Sequence, residues 1–248
     1  TLARGKPGMT TLVASFDSEK DARAAQKKLG KSARVEELVG DAWRDAWKEH
    51  FKPFRLCEGL WVRPPWQDHA PRRGEKVLVL EPGRAFGTGL HETTRLVAAA
   101  ISMMRRTLPQ TTVLDVGTGS GILALTALAL GAKSAAGVDN DADAIEVAKE
   151  NAERNGMSDR VTFSTTPIAR VRGTFGLVLA NIEADVLVAM KTALRARLAL
   201  GGRLVLSGIL ASREADVRAA FGKPIERAEL RSATDDDAWV ALTYTKTT

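Results

Sequence analysis

The sequence predicts an α/β protein: a mostly parallel, doubly wound sheet with helices on both faces, preceded by a small α+β unit. Three observations carry this. Apolar, β-rich runs alternate with helical stretches in the second half of the chain, one such run leads into a glycine-rich turn that opens a helix, and the composition shifts near residue 82. Strands alternating with helices imply crossover connections, and these cover both faces of a parallel sheet.

In chain order, a short strand is expected at Thr11 to Phe16. A helix then opens near Asp17 or Ser18, either of which can accept the free amide protons of a first turn, and runs to Leu29 with Gly30 as its stop. Trp43, Trp47, Trp61 and Trp66, with Pro53, Pro64, Pro65 and Pro71, mark a more irregular stretch. Beyond Pro82, strands fit at Thr112 to Val116, Ser134 to Val138, Arg160 to Ser164, Gly176 to Ala180, Arg203 to Ser207 and Ala238 to Thr245. Helices fit at Gly121 to Leu130, Ala184 to Leu200, Ser212 to Phe221, and Asp141 to Asn155. In the last of these, Ala144, Ile145, Ala148 and Ala152 fall at helical spacing and Gly156 suits a left-handed stop. Boundaries follow at 1–65, a linker at 66–82, and a second domain at 83–248.

The 248 residues carry 36 Lys and Arg against 30 Asp and Glu, a net charge of +6. The basic surplus is spread along the chain without a dense block interleaved with aromatics, so it reads as a solvated surface and not as a nucleic-acid footprint. No run reaches the roughly 18 apolar residues of a membrane helix, and no secretion signal opens the chain. A single cysteine, Cys57, makes no internal disulfide, and no Cys and His cluster has metal-ligand spacing. No metal, a cytoplasmic setting and a monomer are the expectations. Cys57, with no His, Lys or second Cys beside it, reads as a packed side chain.

The most informative stretch is Val113-Leu114-Asp115-Val116-Gly117-Thr118-Gly119-Ser120-Gly121. Glycines let the chain turn tightly and let a ligand approach the backbone. Asp139 ends the next strand, 24 positions after Asp115, where a carboxylate can accept from both hydroxyls of a ribose. The spacing is G-x-G-x-G, whereas the dinucleotide fingerprint is G-x-G-x-x-G with its pyrophosphate on the helix N-terminus. Asp115, read as lying at the mouth of the loop, repels a pyrophosphate and attracts the ammonium and sulfonium groups of S-adenosylmethionine. The charges therefore favour S-adenosylmethionine over NAD.

The loop, followed by Gly137-Val138-Asp139-Asn140-Asp141, resembles the first two motifs of class I S-adenosylmethionine-dependent methyltransferases. Narrower likenesses follow. Glu81 to Thr94 (EPGRAFGTGLHETT), Leu179-Ala180-Asn181-Ile182, Arg203 to Leu210 (RLVLSGIL) and Asp45 to Pro53 (DAWKEHFKP) resemble the ribosomal protein methyltransferases of the PrmA type, which modify protein eleven of the large subunit. The resemblance implies a Rossmann-like, seven-stranded sheet behind a small ferredoxin-like domain that grips a large-subunit ribosomal protein. It implies transfer of methyl groups to lysine or N-terminal amines. Cofactor contacts are implied at Thr94, Asp115, Gly117, Thr118, Gly119, Asp139, Asn140 and Asn181, while Phe86, Thr88 and His91 would line the wall between methyl donor and amine. The sequence departs from the family's pattern at Glu92 and Glu183.

Methyl transfer from an activated donor chiefly requires a neutral amine held in line at about 3 Å. Asn181 suits that role, with His91 as a second candidate beside it. His91, Glu92, Glu183 and Asp185 could each serve as a base, and none stands out, since loss of the proton to water on desolvation serves equally. Asp235-Asp236-Asp237 reads as a turn. A lysine methyltransferase of the same fold acting on a metabolic protein is the alternative function.

Overall fold

The computed structural model describes residues 2–4, 10–12, 18–30, 33–35, 51–81, 88–231 and 237–247. Its contacts divide the chain into two units, Thr1–His50 and Phe51–Thr248. In the first, β1 (Leu2–Arg4) and β2 (Thr10–Leu12) pair antiparallel and precede helix α1 (Glu19–Leu29). Ser18 caps α1 by accepting from the Asp21 N–H at 3.2 Å, and Gly30, at φ 79°, ends it. Both caps are those the sequence offers. Trp43 and Trp47 lie outside the described residues.

The second unit is built on a seven-stranded sheet ordered β11-β12-β10-β9-β6-β7-β8. Its strands are β6 (Thr112–Val116), β7 (Ser134–Val138), β8 (Val161–Ser164), β9 (Phe175–Asn181), β10 (Leu198–Leu210), β11 (Glu226–Leu230) and β12 (Trp239–Thr245). Pairing is parallel from β8 through β10, and β12 runs antiparallel to both its neighbours. Helices α2 (Glu92–Met103), α3 (Ile122–Ala129) and α4 (Ala142–Arg154) bury Val97, Ile101, Leu125, Ile145 and Ala148 against Val113, Leu177 and Leu179 on one face. On the other face α5 (Ala184–Arg197) and α6 (Glu214–Phe221) bury Leu187, Leu194, Val217 and Phe221 against Leu114, Val178 and Leu204. The doubly wound sheet is as predicted. None of the described helices is long and apolar enough to cross a membrane.

A three-stranded sheet precedes the large one: β3 (Phe54–Cys57) antiparallel to β4 (Leu60–Arg63), and β4 parallel to β5 (Lys76–Val79). Leu56, Leu60, Val62, Leu78 and Leu80 are buried in the same cluster as α2 and α3. By its contacts the chain divides at residue 50, and 51–81 fall in the same unit as the large sheet. The prolines and tryptophans of that stretch suggest irregular chain, and strands of four residues are too short to show a period over that background. Trp61 lies within β4 and stacks on His69, ring centroids 4.1 Å apart. Cys57 is packed as expected, with burial pushing its thiol up to about 11.

Strands β6 and β7 have the predicted ends. Most other boundaries move by a residue or two. Helix α5 stops at Arg197, β10 begins five residues earlier than Arg203 and ends three later than Ser207, and a 3-10 turn occupies Ala211–Arg213 ahead of α6. Helix α2 and strand β11 were not read from the sequence. β11 (ERAEL) is charged because it is the sheet's edge, where Arg227 pairs with Glu214 and Glu229, both at 2.7 Å.

Candidate functional site

Strand order reverses at β6: the chain passes from β6 to β7 on one side and returns at β9 on the other. In an open α/β sheet the crevice beyond the carboxyl ends of strands at such a reversal is where ligands bind. The loops that meet there are Gly117–Gly121 after β6, Asp139–Asp141 after β7, and Asn181–Glu183 after β9.

Each loop is fixed by its neighbour. The Gly117 and Thr118 N–H groups both donate to the Val138 carbonyl, at 2.8 and 3.1 Å. Gly117 has φ 69°, and a Cβ there would stand 2.5 Å from Cγ2 of Ile182. Glycine therefore satisfies the backbone conformation and lets the β6 loop touch the β9 turn. On the far side, a Cβ at Gly208 would stand 2.5 Å from the Ile182 carbonyl oxygen, and the Ile182 N–H donates to the Ser207 carbonyl at 3.1 Å. The Asn181–Ile182 turn is thus held between β6 and β10.

Asp139 is half-buried, and its carboxylate is aimed by two backbone amides: Oδ2 accepts from the Gly119 N–H at 2.9 Å and Oδ1 from the Asp141 N–H at 3.1 Å. Each oxygen keeps a lone pair for a further donor, which is what two ribose hydroxyls require. Asn140 is exposed beside it.

Asp115 differs from its sequence expectation. It does not sit at the mouth of the loop but is fully buried, with Oδ2 accepting from the Thr118 hydroxyl at 2.7 Å and from the Ala124 N–H at 3.2 Å. The strand alternation explains this: Asp115 shares with Val113 the face of β6 that α3 covers. Burial pushes its carboxyl up to about 6, the Thr118 and Ala124 bonds oppose that, and the charge of Asp139 adds to it. Oδ1 is buried without a hydrogen-bond partner in the structure. Asp115 and Thr118, whose hydroxyl turns inward, therefore shape the loop from beneath.

Thr94 and Asn181 come together. The Asn181 Nδ2 group donates to the buried Thr94 hydroxyl at 3.5 Å, which joins the first turn of α2 to the end of β9. His91 is the N-cap of α2: its Nδ1 accepts from the Thr93 N–H at 3.3 Å and lies 2.8 Å from the Thr93 hydroxyl. Its ring meets Trp239 edge-on, centroids 4.9 Å apart. This geometry gives His91 a capping part in the fold. Thr88 is half-buried, and Phe86 lies outside the described residues.

Among the candidate bases, Asp185 is engaged by Arg213 at 2.6 Å, Glu92 is half-buried and Glu183 is exposed. Asp237 accepts from the Ser212 and Ala238 N–H groups, closing a turn as expected of it, while Asp235 and Asp236 lie outside the described residues. Among the described residues no three His, Cys, Asp or Glu side chains gather as metal ligands.

One supporting residue was missed. Asn151 is 1% exposed within α4, and its Nδ2 donates to the Ser120 carbonyl of the glycine loop at 3.0 Å. The signal was available, since Asn151 and Asn155 interrupt the apolar face of that helix at a spacing of four.

Comparison with known proteins gives a consistent result. The sequence profile of the family described as "Ribosomal protein L11 methyltransferase (PrmA)" matches residues 7–247. A ribosomal protein L11 methyltransferase of Sorangium cellulosum is 51% identical over 241 residues, covering 93% of this chain and 76% of the relative. One of Pelobacter propionicus is 44% identical over 213 residues, 85% of this chain and 68% of the relative. The crystal structure of a ribosomal protein L11 methylase from Lactobacillus delbrueckii subsp. bulgaricus superposes with a TM-score of 0.69 at 31% identity, over 80% of this chain and all of that one.

Proposed function

The chain belongs to the ribosomal protein L11 methyltransferase (PrmA) family, and from that premise we propose that it transfers methyl groups from S-adenosylmethionine to lysine or N-terminal amines of ribosomal protein L11. The observation that carries the site assignment is the contact of Gly117 with Ile182. It brings a ribose-binding carboxylate, Asp139, and an amine-orienting amide, Asn181, to one crevice at the strand reversal. The names of the relatives give no support to a metabolic protein as acceptor.

The residues present fit the cofactor. Asp139, pre-aimed by Gly119 and Asp141, takes the ribose hydroxyls, and the glycine loop admits the amino-acid end close to the backbone. When bound, S-adenosylmethionine supplies an electrophilic methyl carbon that the amine's lone pair takes as the carbon–sulfur bond pair returns to sulfur. The chain's own task is positional. With Nδ2 of Asn181 committed to Thr94, Oδ1 is left to accept an N–H of the incoming amine, which directs the lone pair along the transfer axis. A cationic lysine has no lone pair, so its proton leaves to water as the crevice desolvates it. Thr88 lines the same wall, with Phe86 assigned there on the resemblance alone, and His91 sets the first turn of α2 that carries Thr94.

We assign grip on the acceptor protein to the first unit, and we place the reaction in the cytoplasm with a single chain as the working form. The test is incubation with methyl-labelled S-adenosylmethionine and purified L11. Label on L11 amines supports the reading, and label on another protein but not on L11 refutes the acceptor. Removal of 1–50 should leave cofactor affinity unchanged and abolish labelling. Full labelling by the shortened chain would show that the first unit does not grip the acceptor.

A further inference from the structure

Among the described residues, strand β5 is the edge of its sheet, paired with β4 on one side. Its outer side is closed by a side chain. The Val79 N–H donates to Oδ1 of Asn155 at 2.8 Å, and Nδ2 of Asn155 donates back to the Val79 carbonyl at 2.8 Å. A primary amide carries side by side the acceptor and the donor that a backbone ladder step needs. The same Nδ2 donates to the Asn151 carbonyl at 2.7 Å, and the Asn151 side chain donates to the Ser120 carbonyl. Arg154 braces the relay, donating to Oδ1 of Asn151 at 3.0 Å and pairing with Glu81 at 2.8 Å. A continuous chain of polar contacts therefore runs from the edge of the small sheet to the glycine loop.

We propose that Asn155, acting through Asn151, is a positioning residue for methyl transfer that locks β5 to the cofactor loop. The lock matters because the chain leaving β5 returns at Thr88 and Gly89. A Cβ on Gly89 would stand 2.7 Å from Cδ1 of Ile122, the first residue of the helix that the glycine loop opens. The wall at Thr88 is thus seated on α3, and β5 is tied by Asn155 at the end of α4, whose Asn151 holds the cofactor loop. Fixing β5 to Ser120 holds the wall and the cofactor loop in one geometry. This inference rests on the methyl-transfer reading above.

Two measurements test it. Steady-state kinetics with L11 compare wild type with Asn155→Asp and Asn151→Asp, each of which removes the donor and keeps the shape. Small displacements of reacting groups cost rate more than affinity, so kcat should fall about tenfold while KM for S-adenosylmethionine stays within about threefold. The double variant should be no slower than the slower single variant, because both cut one relay. Unchanged kcat in the folded single variants, or effects that multiply in the double variant, overturns the proposal. Amide exchange on the unaltered protein covers the case in which the variants do not fold: S-adenosylhomocysteine should slow exchange of the Val79 amide together with that of Gly119. Slowing at Gly119 alone overturns the relay. Slowing at neither position, or no methyl transfer by wild type, counts against the cofactor and function readings instead.

Discussion

The two sides of the crevice are built differently although both lie at the carboxyl ends of one sheet's strands. On the side of β6 and β7 the glycine loop and the Asp139 carboxylate are already bonded within the protein. Asp139 accepts two backbone amides, Asp115 and Thr118 close on each other beneath the loop, and Ser120 is held by Asn151. On the side of β9, the Asn181 side chain makes, among the described residues, one hydrogen bond at 3.5 Å, and Glu183 starts α5 without a side-chain cap. On the proposed function, the difference teaches that the donor half is pre-organised, while the acceptor half keeps hydrogen-bonding capacity for the incoming amine. Pre-organisation lowers the ordering cost of binding a small cofactor. A group that must orient a mobile protein side chain is better left with an open acceptor.

Breaking the acceptor side should cost rate. Asn181→Ala is expected to lower the transfer rate about 100-fold with little change in cofactor affinity, as rapid-quench kinetics and calorimetry would show. Loss of affinity without loss of rate would reverse the roles of the two halves. Breaking the donor side should cost binding. Asp139→Ala should weaken S-adenosylmethionine by roughly 1–3 kcal/mol through the lost ribose hydrogen bonds, and unchanged affinity in calorimetry would remove the ribose from Asp139.

The next effect concerns the buried carboxylate. Asp115 titrates in the fold at about 6, above its unfolded value, because burial disfavours its charge. Its contribution to stability is therefore full below about pH 4 and is lost as pH rises through 6. Asp115→Asn should gain on wild type across that window, on the order of 3 kcal/mol by pH 7. Urea melts of both proteins at several pH values would show the widening gap, whereas a constant gap would mean that Asp115 carries no such penalty. The smallest effect is expected of His91→Ala. Loss of the α2 cap should cost about 1 kcal/mol in thermal unfolding and leave kcat within a few-fold. A collapse of kcat at unchanged stability would return His91 to the chemistry.

The donor half was also the more legible half. Strands β6 and β7, the glycine loop between them and Asp139 all follow from runs of β-formers ending in glycine or aspartate, whose meaning is local. What escaped depended on tertiary contacts. That Asp115 points inward follows from the parity of β6 only once α3 is known to cover that face. Trp61 and its neighbours read as irregular chain because a four-residue strand carries too few positions to show its period. Strand β11, charged at a sheet edge, has no apolar alternation to read. His91, a residue type suited to chemistry, has a capping part in α2 that its sequence context does not announce.

The most direct measurement of the central claim is single-turnover methyl transfer to L11 by Asp139→Ala and Asn181→Ala as cofactor is raised to saturation. The account predicts that saturating S-adenosylmethionine restores the first variant to near the wild-type rate and leaves the second about 100-fold slow. Equal rescue of both, or of neither, would contradict a crevice divided into a donor half that binds and an acceptor half that orients.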